Sequence, residues 1–156
     1  MTQTVLLPVF IDGERRGEEA LPVAAVGPAR FRLLASPGIV EGLAAGNEFV
    51  LDDIAPPGYR VVERGGNLWV WFYFAPPVEE HSGETADVRR AVEALGGWLD
   101  GGYSKMLVFT VPLAAGFAAV ARAFDAAVAR QPGSQWLYGN VYDPTDGETP
   151  LDWWRL

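Results

Sequence analysis

Apolar residues are spaced in two ways along this chain, and the change falls after residue 75. Before it, short apolar stretches alternate with Gly, Pro and Asp turns. After it, two longer stretches place their apolar residues at helical spacing. The densest run is 68–74, Leu-Trp-Val-Trp-Phe-Tyr-Phe. Seven such residues are too few for an ordinary helix and too apolar for a loop, which predicts a strand covered on both faces. One face carries Leu68, Val70, Phe72 and Phe74, and the other Trp69, Trp71 and Tyr73.

Ahead of that run the pattern predicts strands over 5–11, 20–26, 29–35, 48–52 and 59–63. They are divided by Asp12-Gly13, Gly27-Pro28, Ser36-Pro37-Gly38, a turn or helical piece over 39–46, and a loop over 54–58. Residues 59–63 and 68–74 flank Arg64-Gly65-Gly66-Asn67, a hairpin signal. Closely spaced short strands of this kind predict a strongly bent antiparallel sheet or partial barrel.

Beyond Ala75-Pro76-Pro77 the spacing predicts a helix capped by Thr85, with Val88, Ala91, Val92 and Leu95 on one face and Gly96-Gly97 as its stop. Strands follow over 98–103 and 105–111. A second helix opens at Pro112, buries Phe117, Val120, Phe124, Ala127 and Val128, and ends at Gln131-Pro132. A last strand spans 136–142. The order from residue 68 is βαββαβ, the split pattern of ferredoxin-like folds, with both helices on one face of a four-stranded sheet. The expected organisation is a β-rich half over 1–66, a ferredoxin-like half over 67–143 and a tail over 144–156 packed on the body, forming one α+β unit.

Period-2 alternation, with the last strand beside the first, places Trp136, Tyr138 and Tyr142 with Trp69, Trp71 and Tyr73 on the helix-free face. Phe72, Phe109 and Val141 then face the helices. Three readings of the aromatic face stay open: cover by the N-terminal strands or the tail, a protein-binding surface, or a base-stacking platform. The tail ends Leu151-Asp152-Trp153-Trp154-Arg155-Leu156. Two adjacent tryptophans are costly to leave in water, at about 2 kcal/mol each. The tail therefore either docks on the body or presents an acidic-aromatic element to a partner.

Residues 31–34 (Phe-Arg-Leu-Leu), Pro37, and 42–49 (Gly-Leu-Ala-Ala-Gly-Asn-Glu-Phe) resemble a bacterial family of small proteins known as the domain of unknown function DUF4265. Leu95-Gly96-Gly97, residues 106–112 and the helix after them fit the same layout, so the resemblance spans 31–128. An acidic residue usual after the second Gly is Asn47 here, which still suits a turn. The resemblance implies a fold and assigns no site.

Charge narrows the partners. The chain has 156 residues, 12 basic and 20 acidic, a net charge of −8, and no cysteine. Disulfides and thiolate chemistry are excluded, and nucleic acid and anionic membranes are disfavoured by long-range repulsion. Residues 1–4 carry no charged leader, and the apolar stretch after them is broken by Pro8 and Asp12. No apolar run approaches the ~20 residues of a membrane span. A cytoplasmic protein is expected.

Candidate chemistry is sparse. His81, beside Glu80 and Glu84, is the one histidine, and is read as a solvated loop residue over a base or metal ligand. Ser36, Ser82, Ser104 and Ser134 lack a nucleophile-elbow context, and Lys105 is read as a solvated corner residue. Residues 143–148 only faintly resemble a calcium loop, and the adjacent acid pairs 18–19, 52–53 and 79–80 diverge on extended chain. Neither cofactor nor metal is expected.

These observations point to a non-enzymatic protein-binding module, an immunity- or antitoxin-like inhibitor of a basic bacterial toxin, steered by its acidic surface. Its expected contact residues are Trp69, Trp71, Tyr73, Trp136, Tyr138, Asp146, Glu148, Asp152, Trp153 and Trp154. The alternative is a small-molecule binder or enzyme with a pocket between the halves, lined by Tyr59, Arg60, Arg64 and the tryptophans.

Overall fold

Two antiparallel sheets and two helices make up this α+β chain. The computed structural model describes residues 2–52, 56–79 and 82–155. Glu80 and His81, Asp53, and residues 54–55 of the proline loop lie outside the described residues.

The first sheet is a meander of β1 (Thr2–Ile11), β2 (Glu14–Gly27), β3 (Arg30–Leu33), β4 (Glu48–Leu51) and β5 (Tyr59–Glu63), in that order. Alternation sets its inner face: Val5, Leu7 and Val9 are buried while Leu6 between them is exposed. Asp12 and Gly13 both take positive φ, as a two-residue hairpin turn that follows strand twist requires. The inner face encloses Leu21, Val23, Leu33 and Phe49, closed by Val40 and Leu43 from the segment between β3 and β4. On the same sheet Glu48 takes ion pairs from Arg30 and Arg32, and these two guanidinium groups hold its carboxyl below the usual range.

The second sheet contains β6 (Asn67–Tyr73), β7 (Trp98–Tyr103), β8 (Met106–Pro112) and β9 (Gln135–Tyr138), in the order β7-β8-β6-β9. Helices α1 (Gly83–Ala94) and α2 (Phe117–Arg130) cover one face. Val88 and Val92 from α1, with Val120, Phe124 and Ala127 from α2, pack on Leu68, Val70, Phe72, Phe109 and Val141. The helix-side half of the apolar run is thus core.

Three local expectations are corrected. Residues 59–63 and 67–73 do not form a hairpin: β5 pairs β4, while β6 has both edges taken, by β8 and β9. Gly65 instead carries the chain between sheets, packed so tightly on the backbone of Gly46 that a β-carbon would collide. The cap of α1 is Ser82 in place of Thr85; its side chain accepts the Thr85 N–H at 3.3 Å from an extended backbone. Pro112 ends β8, and a 3-10 turn over Leu113–Ala115 precedes α2.

Candidate functional site

The helix-free face of the second sheet is covered by the chain itself. Trp69, pointing away from the helices, is 0% exposed and packs with Ala44 and Val108. Its indole lies on Gly139, where any β-carbon would overlap the ring. Trp71 sits edge-on to Trp69 at 4.8 Å and donates its Nε1–H to the Gly38 carbonyl at 2.8 Å. Tyr73 follows, edge-on to Trp71 at 6.0 Å. The cover is the segment from Ser36 to Asn47, which leaves β3, crosses this face and returns as β4.

Polar contacts pin that cover. Thr110 donates to the Asp100 carboxylate at 2.5 Å, and the Ser36 and Thr110 hydroxyls are 2.6 Å apart. Ser36 also accepts the Ala45 N–H at 3.1 Å, so the chain of donors runs from Ala45 through Ser36 and Thr110 to Asp100. Burial pushes the Asp100 carboxyl up, against the hydrogen bonds it accepts. Asn47 turns the segment back by accepting the Ala44 N–H at 3.0 Å. Two polar atoms in this buried layer, Trp69 Nε1 and Asn47 Nδ2, have no hydrogen-bond partner among the described residues, an uncommon state for buried groups.

Trp136 and Tyr138 are on the other face from the one expected. In the β6–β9 ladder Phe72 stands opposite Trp136 and Val70 opposite Tyr138, and directly opposed residues share a face. Trp136 therefore stacks on Phe124 at 5.5 Å, and Tyr138 meets Phe117 at 5.6 Å. Alternation within a strand says which residues share a side, but only pairing register says which side. The strand also stops four residues early. At Asn140 the side chain continues the ladder in place of backbone: Oδ1 accepts the Trp69 N–H at 2.8 Å and Nδ2 donates to the Asn67 carbonyl at 2.9 Å. Tyr142 lies beyond the strand, exposed, bridged to Pro150.

The tail rests on this corner. Trp153 donates to the Asn140 carbonyl at 2.8 Å and Trp154 packs edge-on to Phe117 at 5.3 Å. Glu148 and Asp152 are exposed, Asp152 paired with Arg155 at 3.4 Å. Asp146 closes a turn by accepting the backbone of Glu148 and Thr149 and the Thr149 hydroxyl, which hold its carboxyl below its usual range.

Between the sheets lies an open cleft of about 690 Å³. Trp71, Phe10 and Val40 supply apolar lining, with Ile11 and Ile39, both more than half exposed, also on its wall. Its charged lining residues are Asp12, Glu41 and Asp146, and no Lys or Arg lines it among the described residues. Burial raises the Glu41 carboxyl above the usual range. A smaller recess of about 210 Å³ adjoins it across Pro57 and Pro144, and Tyr59 and Arg64 line it. Burial raises the Tyr59 phenol and lowers the Arg64 guanidinium, and the Tyr59 hydroxyl donates to the Glu41 carbonyl.

Of the expected contact residues, the cleft brings together Trp71 and Asp146. Trp69 is sealed, and Trp136, Tyr138, Trp153 and Trp154 pack on the chain itself. Tyr59 and Arg64 meet in the smaller recess, whereas Arg60 is exposed and lines neither cavity. Sequence reasoning missed Asp12 and Glu41. The Asp12-Gly13 turn marked a strand end, but nothing local showed where that tip points.

Among the described residues no three His, Cys, Asp or Glu side chains gather into a metal-binding group, and no helix is long and apolar enough to cross a membrane.

The family model of the domain of unknown function DUF4265 matches residues 19–135. A solved structure titled as a hypothetical protein from Neisseria gonorrhoeae is similar in fold, with a TM-score of 0.66 at 11% identity, over 89% of this chain and 94% of that one. No curated protein matches.

Proposed function

The chain belongs to the DUF4265 family of domains of unknown function, and we propose that it is a non-enzymatic module binding a basic, partly apolar segment of another protein in the cleft between its sheets. One observation carries this reading: three carboxylates and no described cation line a cleft whose remaining lining is largely apolar. A lining of one sign focuses the field on an oppositely charged ligand, and the net charge of −8 adds long-range steering. Aliphatic and proline walls suit the flanking side chains of an extended segment. The polar groups there serve structure or charge: Trp71 Nε1 is taken by Gly38, and the Asp146 carboxylate by its own turn. Among protein partners, a basic toxin held by an immunity- or antitoxin-like inhibitor fits this charge best.

The order β7-β8-β6-β9, with a helix in each crossover, supports a ferredoxin-like unit. Contact between Pro8 of β1 and Gly58 at the entry to β5 supports a first sheet curled toward a partial barrel.

The test is a heptapeptide array probed with the purified protein. Peptides with Lys or Arg between aliphatic residues should bind, and the same peptides with Glu in those places should not. Equal binding of both sets would overturn the reading. A second reading, a small molecule in the same cleft, is favoured by its volume, about that of a metabolite site. Thermal shifts with a metabolite panel in the absence of peptide response would select it.

A further inference from the structure

Arg64 differs from every other cation in the described chain. Those without a carboxylate within 4 Å, such as Arg60, Lys105, Arg122 and Arg130, are exposed, and part-buried Arg30 is paired with Glu48. Arg64 is part-buried and has no such partner among the described residues. Its Nη1 donates to the Gly42 carbonyl at 2.8 Å and reaches Asn47 Oδ1 at 3.5 Å. The guanidinium carbon stands 5.4 Å from the centre of the Trp153 ring. Its Nη2 and Nε have no protein acceptor among the described residues, and the group lines the recess of about 210 Å³.

A guanidinium drawn out of water without an anion is unfavourable, and the planar fork of an arginine matches a carboxylate through two parallel hydrogen bonds. Gly42, Asn47 and Trp153 engage one nitrogen and one face of the group, leaving the rest of the fork. The recess also contains Asp143. That carboxylate forms no ion pair with Arg64, and its negative charge opposes any second anion there, a doubly charged phosphate more than a singly charged carboxylate. The recess and the acidic cleft share Pro57 and Pro144 as lining, so the two adjoin.

Building on the binding function proposed above, we infer that the ligand is a chain end: a free C-terminal carboxylate seated on Arg64, with a basic side chain upstream in the cleft of Asp12, Glu41 and Asp146. Charge complementarity at both ends sets the direction of the bound segment.

The experiment uses unmodified protein and heptapeptides carrying Lys at the third and fifth positions among aliphatic residues, each made with a free and an amidated C-terminus. Affinity is read by fluorescence titration. The free acid should bind at least tenfold more tightly than the amide, and Arg64→Gln should abolish that difference. Because the acid–amide comparison is made on wild-type protein, a poorly folded variant leaves the test intact. Equal affinity of acid and amide, with binding still dependent on the lysines, overturns the Arg64 inference and leaves the cleft reading standing. Loss on amidation with no dependence on the lysines keeps the carboxylate site and overturns the acidic cleft. Failure of every peptide to bind overturns both.

Discussion

Gly139 lies against the indole of Trp69, leaving no room for a β-carbon. Trp69 is wholly buried, and Gly139 also donates its N–H to the Trp69 carbonyl at 2.8 Å. The position thus holds the largest buried side chain of the helix-free face. Gly139→Ala should push the ring against Ala44 and Val108 and destabilise by about 1–3 kcal/mol, the usual range for overpacking. Gly101→Ala, where a β-carbon meets nothing within 4 Å, is the control and should change stability by less than about 0.5 kcal/mol. Urea unfolding of the two variants checks the contrast.

Asn140 does the work of a strand residue with its side chain. Asn140→Ala leaves the buried Trp69 N–H and the Asn67 carbonyl without their partner. The expected loss is about 1–3 kcal/mol for each group so stranded. Asn140→Asp keeps the acceptor for Trp69 but turns the donor to Asn67 into a second acceptor, and it buries a charge. It should therefore be no better than the alanine variant at pH 7 and should recover in part at low pH. Denaturant midpoints at two pH values decide this.

These two residues also mark where the sequence stopped being readable. The alternation of β6 identified its helix-side residues, because period 2 is local. It also separated Trp69, Trp71 and Tyr73 as a set. It did not fix the side on which Trp136 and Tyr138 fall, because that depends on register between strands more than 60 residues apart. The Gly-Gly before Asn67 looked like a hairpin and is a crossing, since glycine allows close backbone approach as readily as it allows a turn. The cleft was least legible of all. Its walls come from a hairpin tip, the cover segment and the C-terminal loop, and no local pattern links Asp12, Glu41 and Asp146.

The hydroxyl chain from Ser36 through Thr110 to Asp100 joins the cover to the second sheet, so its members should act as a unit. Ser36→Ala and Thr110→Val each break it, and either change alone strands a buried partner. Each single variant should lose about 1–3 kcal/mol. The double variant should lose distinctly less than the sum, with a coupling of about 0.5 kcal/mol or more. A double-mutant cycle by urea unfolding measures the coupling, and strict additivity would show that the two hydroxyls are independent.

Glu41 links stability and binding to pH in opposite directions. Burial raises its carboxyl above the usual range, so the folded chain keeps this proton to a higher pH than the unfolded chain does. Its contribution to stability is therefore fully present below the unfolded pKa and is lost as pH rises through the raised folded value. Glu41→Gln cannot ionise and should flatten this part of the stability–pH curve. A basic ligand favours the ionised carboxylate, so affinity for a Lys-containing peptide should increase over the same interval, with net proton release on binding. Calorimetric titrations in two buffers of different ionisation enthalpy, at a pH just above the ordinary glutamate range, read that release directly. Glu41→Gln should remove it. Release that persists in the variant would move the titrating group elsewhere in the cleft, and uptake in place of release would exclude a cationic ligand at Glu41.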